Sequence, residues 1–141
     1  MFRRHALFAA ALALTAPAVS HAADLAIEID GIQAQQGTVT VAVMTSAEAW
    51  AGHAKPVRLT GGAPDGDGTL RLTVAGLAPG SYAIRVLHDE NGNGKLDFNV
   101  IGMPTEGYGF SNNPRVMRAA TFEEARFDVA ETGANVRIAL R

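Results

Sequence analysis

No cysteine occurs anywhere in the 141 residues. That excludes a disulfide framework, a cysteine nucleophile and a lipid-modified N-terminal cysteine. Histidine is nearly as scarce. Beyond residue 22 there are only His53 and His88, with no His pair at zinc spacing. Lysine and arginine nowhere cluster, which argues against nucleic acid and against an anionic bilayer surface as partners. No apolar run after the first residues approaches the ~20 residues of a membrane-spanning helix, so no transmembrane anchor is expected. No glycine-rich loop precedes a helix pattern, and Ser111 lacks the strand-turn-helix setting of a nucleophile elbow, so nucleotide and serine-hydrolase chemistry lack support.

What is present begins with a leader. Arg3 and Arg4 precede the apolar run Ala6 to Thr15, and Ser20-His21-Ala22 supplies small residues at the two positions a signal peptidase reads. Residues 1–22 therefore read as a signal peptide, and residues 23–141 as one periplasmic or secreted domain. That domain carries a formal charge of about −4. Small exported domains often offset a limited core with disulfides; without cysteine, a bound metal is the natural substitute.

The remaining chain has period two, the pattern of strands buried on one face. Apolar residues alternate at Leu25-Ile27-Ile29, Val39-Val41-Val43, Leu70-Leu72-Val74, Tyr82-Ile84-Val86, Ala125-Phe127-Val129 and Val136-Ile138-Leu140. A weaker strand covers Val57 to Thr60. Turn residues separate the runs, and Ser46 to Trp50 reads as one helical turn with Ser46 as N-cap. The expectation is an all-β fold, an antiparallel β-sandwich of about seven strands, immunoglobulin-like or transthyretin-like.

Asp89 to Pro114 breaks this pattern. A loop so long in a small domain is usually functional. Its first part, Asp89-Glu90-Asn91-Gly92-Asn93-Gly94-Lys95-Leu96-Asp97, matches the front of a calcium loop. Calcium takes six to eight oxygens. Asp89, Asn91, Asn93 and Asp97 stand at loop positions one, three, five and nine, and Lys95 offers its carbonyl at position seven. Gly94 stands where the chain turns sharply. Position twelve, a bidentate Glu in the full motif, is Val100 here. The missing ligand must come from elsewhere, with Glu106 the first candidate and Glu90 the second. The same residues also make an ordinary polar turn that needs no metal.

The segments Leu77-Ala78-Pro79-Gly80-Ser81-Tyr82-Ala83, His88 to Asp97, and Gly102-Met103-Pro104-Thr105-Glu106-Gly107-Tyr108-Gly109-Phe110-Ser111-Asn112 together resemble the bacterial exported proteins grouped as domain of unknown function 2141. The likeness runs from the Val39 strand to the last strand. It implies export and a β-sandwich, and it brings no catalytic assignment.

Three functional readings stand at this point. The first is a non-enzymatic binding or structural module steadied by calcium. The second is an envelope glycan- or peptide-binding protein using Tyr108, Phe110 and Asn112, although the two rings equally suit packing over the end of the sandwich. The third is a hydrolase using a metal or His88 as base. No residue is assigned as catalytic, and the Tyr-Arg-Gly-Ser signature of transthyretin-like hydrolases does not occur, so fold analogy transfers no activity. The leader makes a direct prediction. The intact mass of the protein recovered after export corresponds to a chain starting at Ala23, and a mass that retains Met1 contradicts it.

Overall fold

The computed structural model describes residues 22–141, so the leader lies outside the described residues. Among the described residues, eight strands form: β1 (Ala23–Asp30), β2 (Thr38–Met44), β3 (Arg58–Gly62), β4 (Leu70–Leu77), β5 (Gly80–Asp89), β6 (Tyr108–Phe110), β7 (Phe127–Val129) and β8 (Ala134–Ala139). Two one-turn helices accompany them, α1 (Ala47–Trp50) and α2 (Phe122–Ala125). One sheet has the order β4-β1-β8. The other has the order β3-β2-β5-β6, with β7 paired to the start of β5.

The alternation in the sequence places the core. Leu25, Ile27 and Ile29 of β1 and Ile138 of β8 meet Val39, Val41 and Val43 of β2 and Ile84 and Val86 of β5, all buried between the sheets. Each such side chain contributes about 1.5–3 kcal/mol by leaving water. The all-β sandwich expected from the pattern is thus what forms, with eight strands in place of about seven. The weak strand at Val57 to Thr60 becomes β3, and Ser46 caps α1 by accepting the Ala49 N–H at 3.2 Å.

Three features depart from the expectation. Strand β1 pairs with β4 antiparallel but with β8 parallel, Ile27 opposite Val136 and Ile29 opposite Ile138. Period two fixes which face is buried and is silent on strand direction. Ala125 belongs to α2 and not to a strand. Thr121 and Glu124 form a reciprocal capping box there, and Arg118 grips the Glu124 carboxylate with two bonds of 2.8 Å. These contacts hold the Glu124 carboxyl at about 2, well below its usual value, the Arg118 bonds contributing most. The third departure is β6, a strand inside the segment read as irregular.

Strand β6 is legible only through its neighbours. Gly109 lies opposite Val86 and faces inward. A Cβ on it would stand 2.8 Å from Ile138 Cγ2 and 3.0 Å from Ala139 O, so the two sheets approach here as only glycine allows. Tyr108 and Arg141 exchange backbone hydrogen bonds of 3.1 and 3.0 Å, which ties the edge of the five-stranded sheet to the chain after β8. The outer face of the five-stranded sheet is covered as well. Trp50, Phe110, Phe122, Ala83 and Ala125 form a second cluster there. Trp50 Nε1 donates to Ala120 O at 2.8 Å, and the Arg85 guanidinium lies 4.6 Å from the Trp50 ring.

Ser111 joins this layer to the sheet. Its fully buried hydroxyl accepts the Ile84 N–H at 2.8 Å and donates to Ala125 O. Ser111→Ala strands one buried donor and one buried acceptor. It is expected to cost about 1–3 kcal/mol, read as a lower urea midpoint at unchanged slope.

Candidate functional site

Strand β5 delivers Asp89 at its C-terminal end, opposite Thr38 of β2, and the acidic loop starts from that fixed point. Asp89 then organises the turn. Its Oδ1 accepts the N–H groups of Gly92 at 2.9 Å and Asn93 at 3.1 Å, and its Oδ2 accepts that of Gly94 at 2.7 Å. Gly94 sits at φ +80°, a left-handed conformation that costs glycine little, so the sharp turn expected there is present.

The other polar side chains of the loop join the same network. Asn91 Oδ1 accepts the Asn93 N–H and Asn93 Oδ1 accepts the Lys95 N–H, both at 3.0 Å. The two carboxamides donate to one carboxylate. Asn93 Nδ2 reaches Asp97 at 2.8 and 2.9 Å, and Asn91 Nδ2 reaches it at 2.5 Å. The Asn93 and Asn91 bonds hold the Asp97 carboxyl below the ordinary carboxylate range, with Lys95 adding a smaller pull. Asp89, Asn91, Asn93 and Asp97 are therefore brought together. Lys95 contributes backbone within the same turn.

Glu106 sits differently. It is 7% exposed, and its two oxygens accept the N–H of Glu90 at 3.0 Å and of Asp97 at 3.1 Å. It clasps the two ends of the acidic loop by their backbone. Thr105 N–H donates to Asp97 O at 2.9 Å beside it. Val100, at the twelfth loop position, lies in a separate turn and is fully exposed. Glu90 turns toward His88, with Oε1 3.8 Å from Nδ1. His88 is buried, and its Nε2 donates to Gln36 O at 2.8 Å, a contact that fixes the ring. His88 and Glu90, together with Gly31, Gln33 and Glu106, line a cavity of about 130 Å³.

The donor set bears on which metal fits. Among the described residues, no three His, Asp or Glu side chains gather as a ligand cluster. The converging groups are two carboxylates and two carboxamides, all oxygen donors once the amides face an ion. Such a set suits a hard cation of flexible geometry and not zinc. Each Asn Oδ1 spends one of two lone pairs on its backbone bond, leaving the second free for a cation.

Tyr108, Phe110 and Asn112 are placed by packing. Phe110 is buried between Trp50, at 5.8 Å between ring centres, and Tyr108, also at 5.8 Å. The Arg141 guanidinium lies 5.5 Å from the Tyr108 ring. Asn112 adopts φ +62° and spends its amide on the carbonyls of Glu124 and Arg126, holding α2 against the sheet. Neighbouring Asn113 donates to Arg137 O at 3.0 Å and accepts the Ala139 N–H at 2.9 Å. Sequence reasoning missed the structural work of Asn113 and Ser111. An Asn-Asn pair after an aromatic strand is its only trace in the sequence.

A family model described as "Uncharacterized protein conserved in bacteria (DUF2141)" matches residues 27–137. No curated protein and no solved structure matches the chain.

The clasp can be tested alone. Glu106→Gln replaces one acceptor by an N–H₂ group that faces a backbone donor. A loss of about 1–3 kcal/mol is expected in chemical unfolding, together with faster amide exchange at Glu90 and Asp97.

Proposed function

The chain belongs to the DUF2141 family, and on that footing we propose that it is an exported, non-enzymatic binding or structural module whose Asp89–Asp97 loop takes calcium. One observation carries this reading: Asp89, Asn91, Asn93 and Asp97 share a single hydrogen-bond network across a loop already turned at Gly94. Calcium would replace the carboxamide protons that Asp97 now accepts, and the Asn oxygens would turn to the ion. Glu106, which already bridges the loop ends, supports the set from behind or supplies a further oxygen through its remaining lone pairs. Two carboxylates in the ring imply modest affinity, at the weak end of calcium sites and suited to extracellular concentrations.

The export reading rests on Arg3, Arg4 and the apolar run that follows them. Among the described residues, no helix is long and apolar enough to cross a membrane. The buried His88 is engaged with a backbone carbonyl, which gives its ring a structural role.

The test is thermal unfolding of the processed protein in chelator, in millimolar calcium and in millimolar magnesium. An ion that binds only the folded state adds RT ln(1 + [L]/Kd), about 2.7 kcal/mol at a hundredfold excess over Kd. That amounts to a rise of several degrees in Tm for a domain of this size. The rise is expected with calcium, much less with magnesium, and is expected to vanish in Asp97→Asn. Equal midpoints in chelator and calcium overturn the proposal.

A further inference from the structure

The chain holds two Asn-Gly steps, Asn91-Gly92 and Asn93-Gly94, and both lie in the exposed turn of the acidic loop. Asparagine is chemically labile. A following glycine makes it more so, because no Cβ shields the next backbone nitrogen or restricts the dihedrals that bring it to the side chain. In the reaction the glycine nitrogen loses its proton and bonds to the asparagine Cγ. The Cγ–Nδ2 bond breaks and ammonia leaves. Water then opens the cyclic imide at one of its two carbonyls, which gives aspartate or isoaspartate. The nitrogen must be free both to give up its proton and to turn toward Cγ.

Neither nitrogen has that freedom here. Gly92 N–H donates to Asp89 Oδ1 at 2.9 Å, and Gly94 N–H donates to Asp89 Oδ2 at 2.7 Å. A carboxylate that accepts an N–H opposes loss of its proton, since the resulting nitrogen anion would face a negative charge. The same bonds fix the two peptide planes. The carboxamides are held as well: Asn91 Oδ1 accepts the Asn93 N–H, Asn93 Oδ1 accepts the Lys95 N–H, and both Nδ2 groups donate to Asp97. The restraint is unequal. Asp89 Oδ2 serves Gly94 alone, whereas Oδ1 is divided between Gly92 and the Asn93 N–H at 3.1 Å. Asn93 Nδ2 reaches both oxygens of Asp97, and Asn91 Nδ2 reaches one.

We propose that Asp89 guards both Asn-Gly steps against deamidation, and that Asn91 is the modification site where the guarded loop first ages. Isoaspartate at position 91 adds one carbon to the main chain just before Gly92. That carbon displaces the Gly92 and Asn93 N–H groups from Asp89, so the change at Asn91 loosens the restraint on Asn93 in turn. The chemistry needs no bound ion and stands apart from the calcium reading.

The processed protein, kept in chelator at mildly alkaline pH, is incubated folded and, in parallel, unfolded in guanidinium chloride. Peptide mass spectrometry follows each asparagine until conversion is measurable in both samples. The folded wild type is expected to convert roughly ten- to hundredfold more slowly than the unfolded chain at both steps, the worth of a hydrogen bond to a charged group. Asn91 is expected to lead Asn93 in the folded protein by a margin that the unfolded chain lacks. Asp89→Ala, with folding checked by circular dichroism, is expected to bring both steps close to the unfolded rate. Equal rates in folded and unfolded wild type overturn the proposal, as does Asn93 leading Asn91 in the folded protein. So does a folded Asp89→Ala protein that keeps the wild-type rates. If that variant does not fold, the wild-type rates and their order decide alone.

Discussion

Strand β5 is bonded along both edges and covered on both faces, and every other part of the molecule is placed by that fact. Its inward residues Ile84 and Val86 complete the core, while Ala83 and Arg85 lie beneath the Trp50 layer. Its edges hold β2 on one side and β6 and β7 on the other. Because β5 ends in His88 and Asp89, the strand paired along both edges is also the one that launches the acidic loop. A buried histidine bonded to Gln36 O forms the last inward step of that strand. The loop thus inherits its position from the core and not from its own contacts.

The electrostatics of the loop follow from how its charges are paid in hydrogen bonds. Asp89 accepts hydrogen bonds from three backbone N–H groups, Glu106 from two, and Asp97 from two carboxamides. Among the described residues, none of these three carboxylates forms a salt bridge with a lysine or arginine. Backbone dipoles shape the loop without adding formal charge, and the local excess of negative charge survives folding.

The fold was largely legible from alternation alone, because one buried face leaves a period of two that single residues report. The acidic loop was legible for a different reason: its Asp, Asn and Gly residues mark a polar turn, and their side chains do bond its backbone N–H groups. The rest depended on tertiary contact. Strand β6 contains a glycine whose meaning lies in Ile138, nearly thirty residues away. Ala125 alternates correctly with Phe127 and Val129, yet the Thr121–Glu124 capping box outweighs that short pattern. The sequence marks Glu106 by its carboxylate, but what it grips is two backbone N–H groups, which no side-chain pattern encodes. The parallel pairing of β1 with β8 leaves no trace in either strand.

That pairing has a kinetic side. Strand β1, the first to emerge in synthesis, sits between β4 and β8, and β8 is the last. The three-stranded sheet cannot close until nearly the whole chain exists, and the ring of contacts it joins spans more than a hundred residues. Closure over such distances is slow, in the range of milliseconds to seconds for sheet proteins. During synthesis the hydrogen-bonding edge of β1 that will meet β8 has no native mate. A chain with this order of strands keeps one edge of β1 open until β8 arrives, so any chaperone that holds extended polypeptide has that whole interval in which to act.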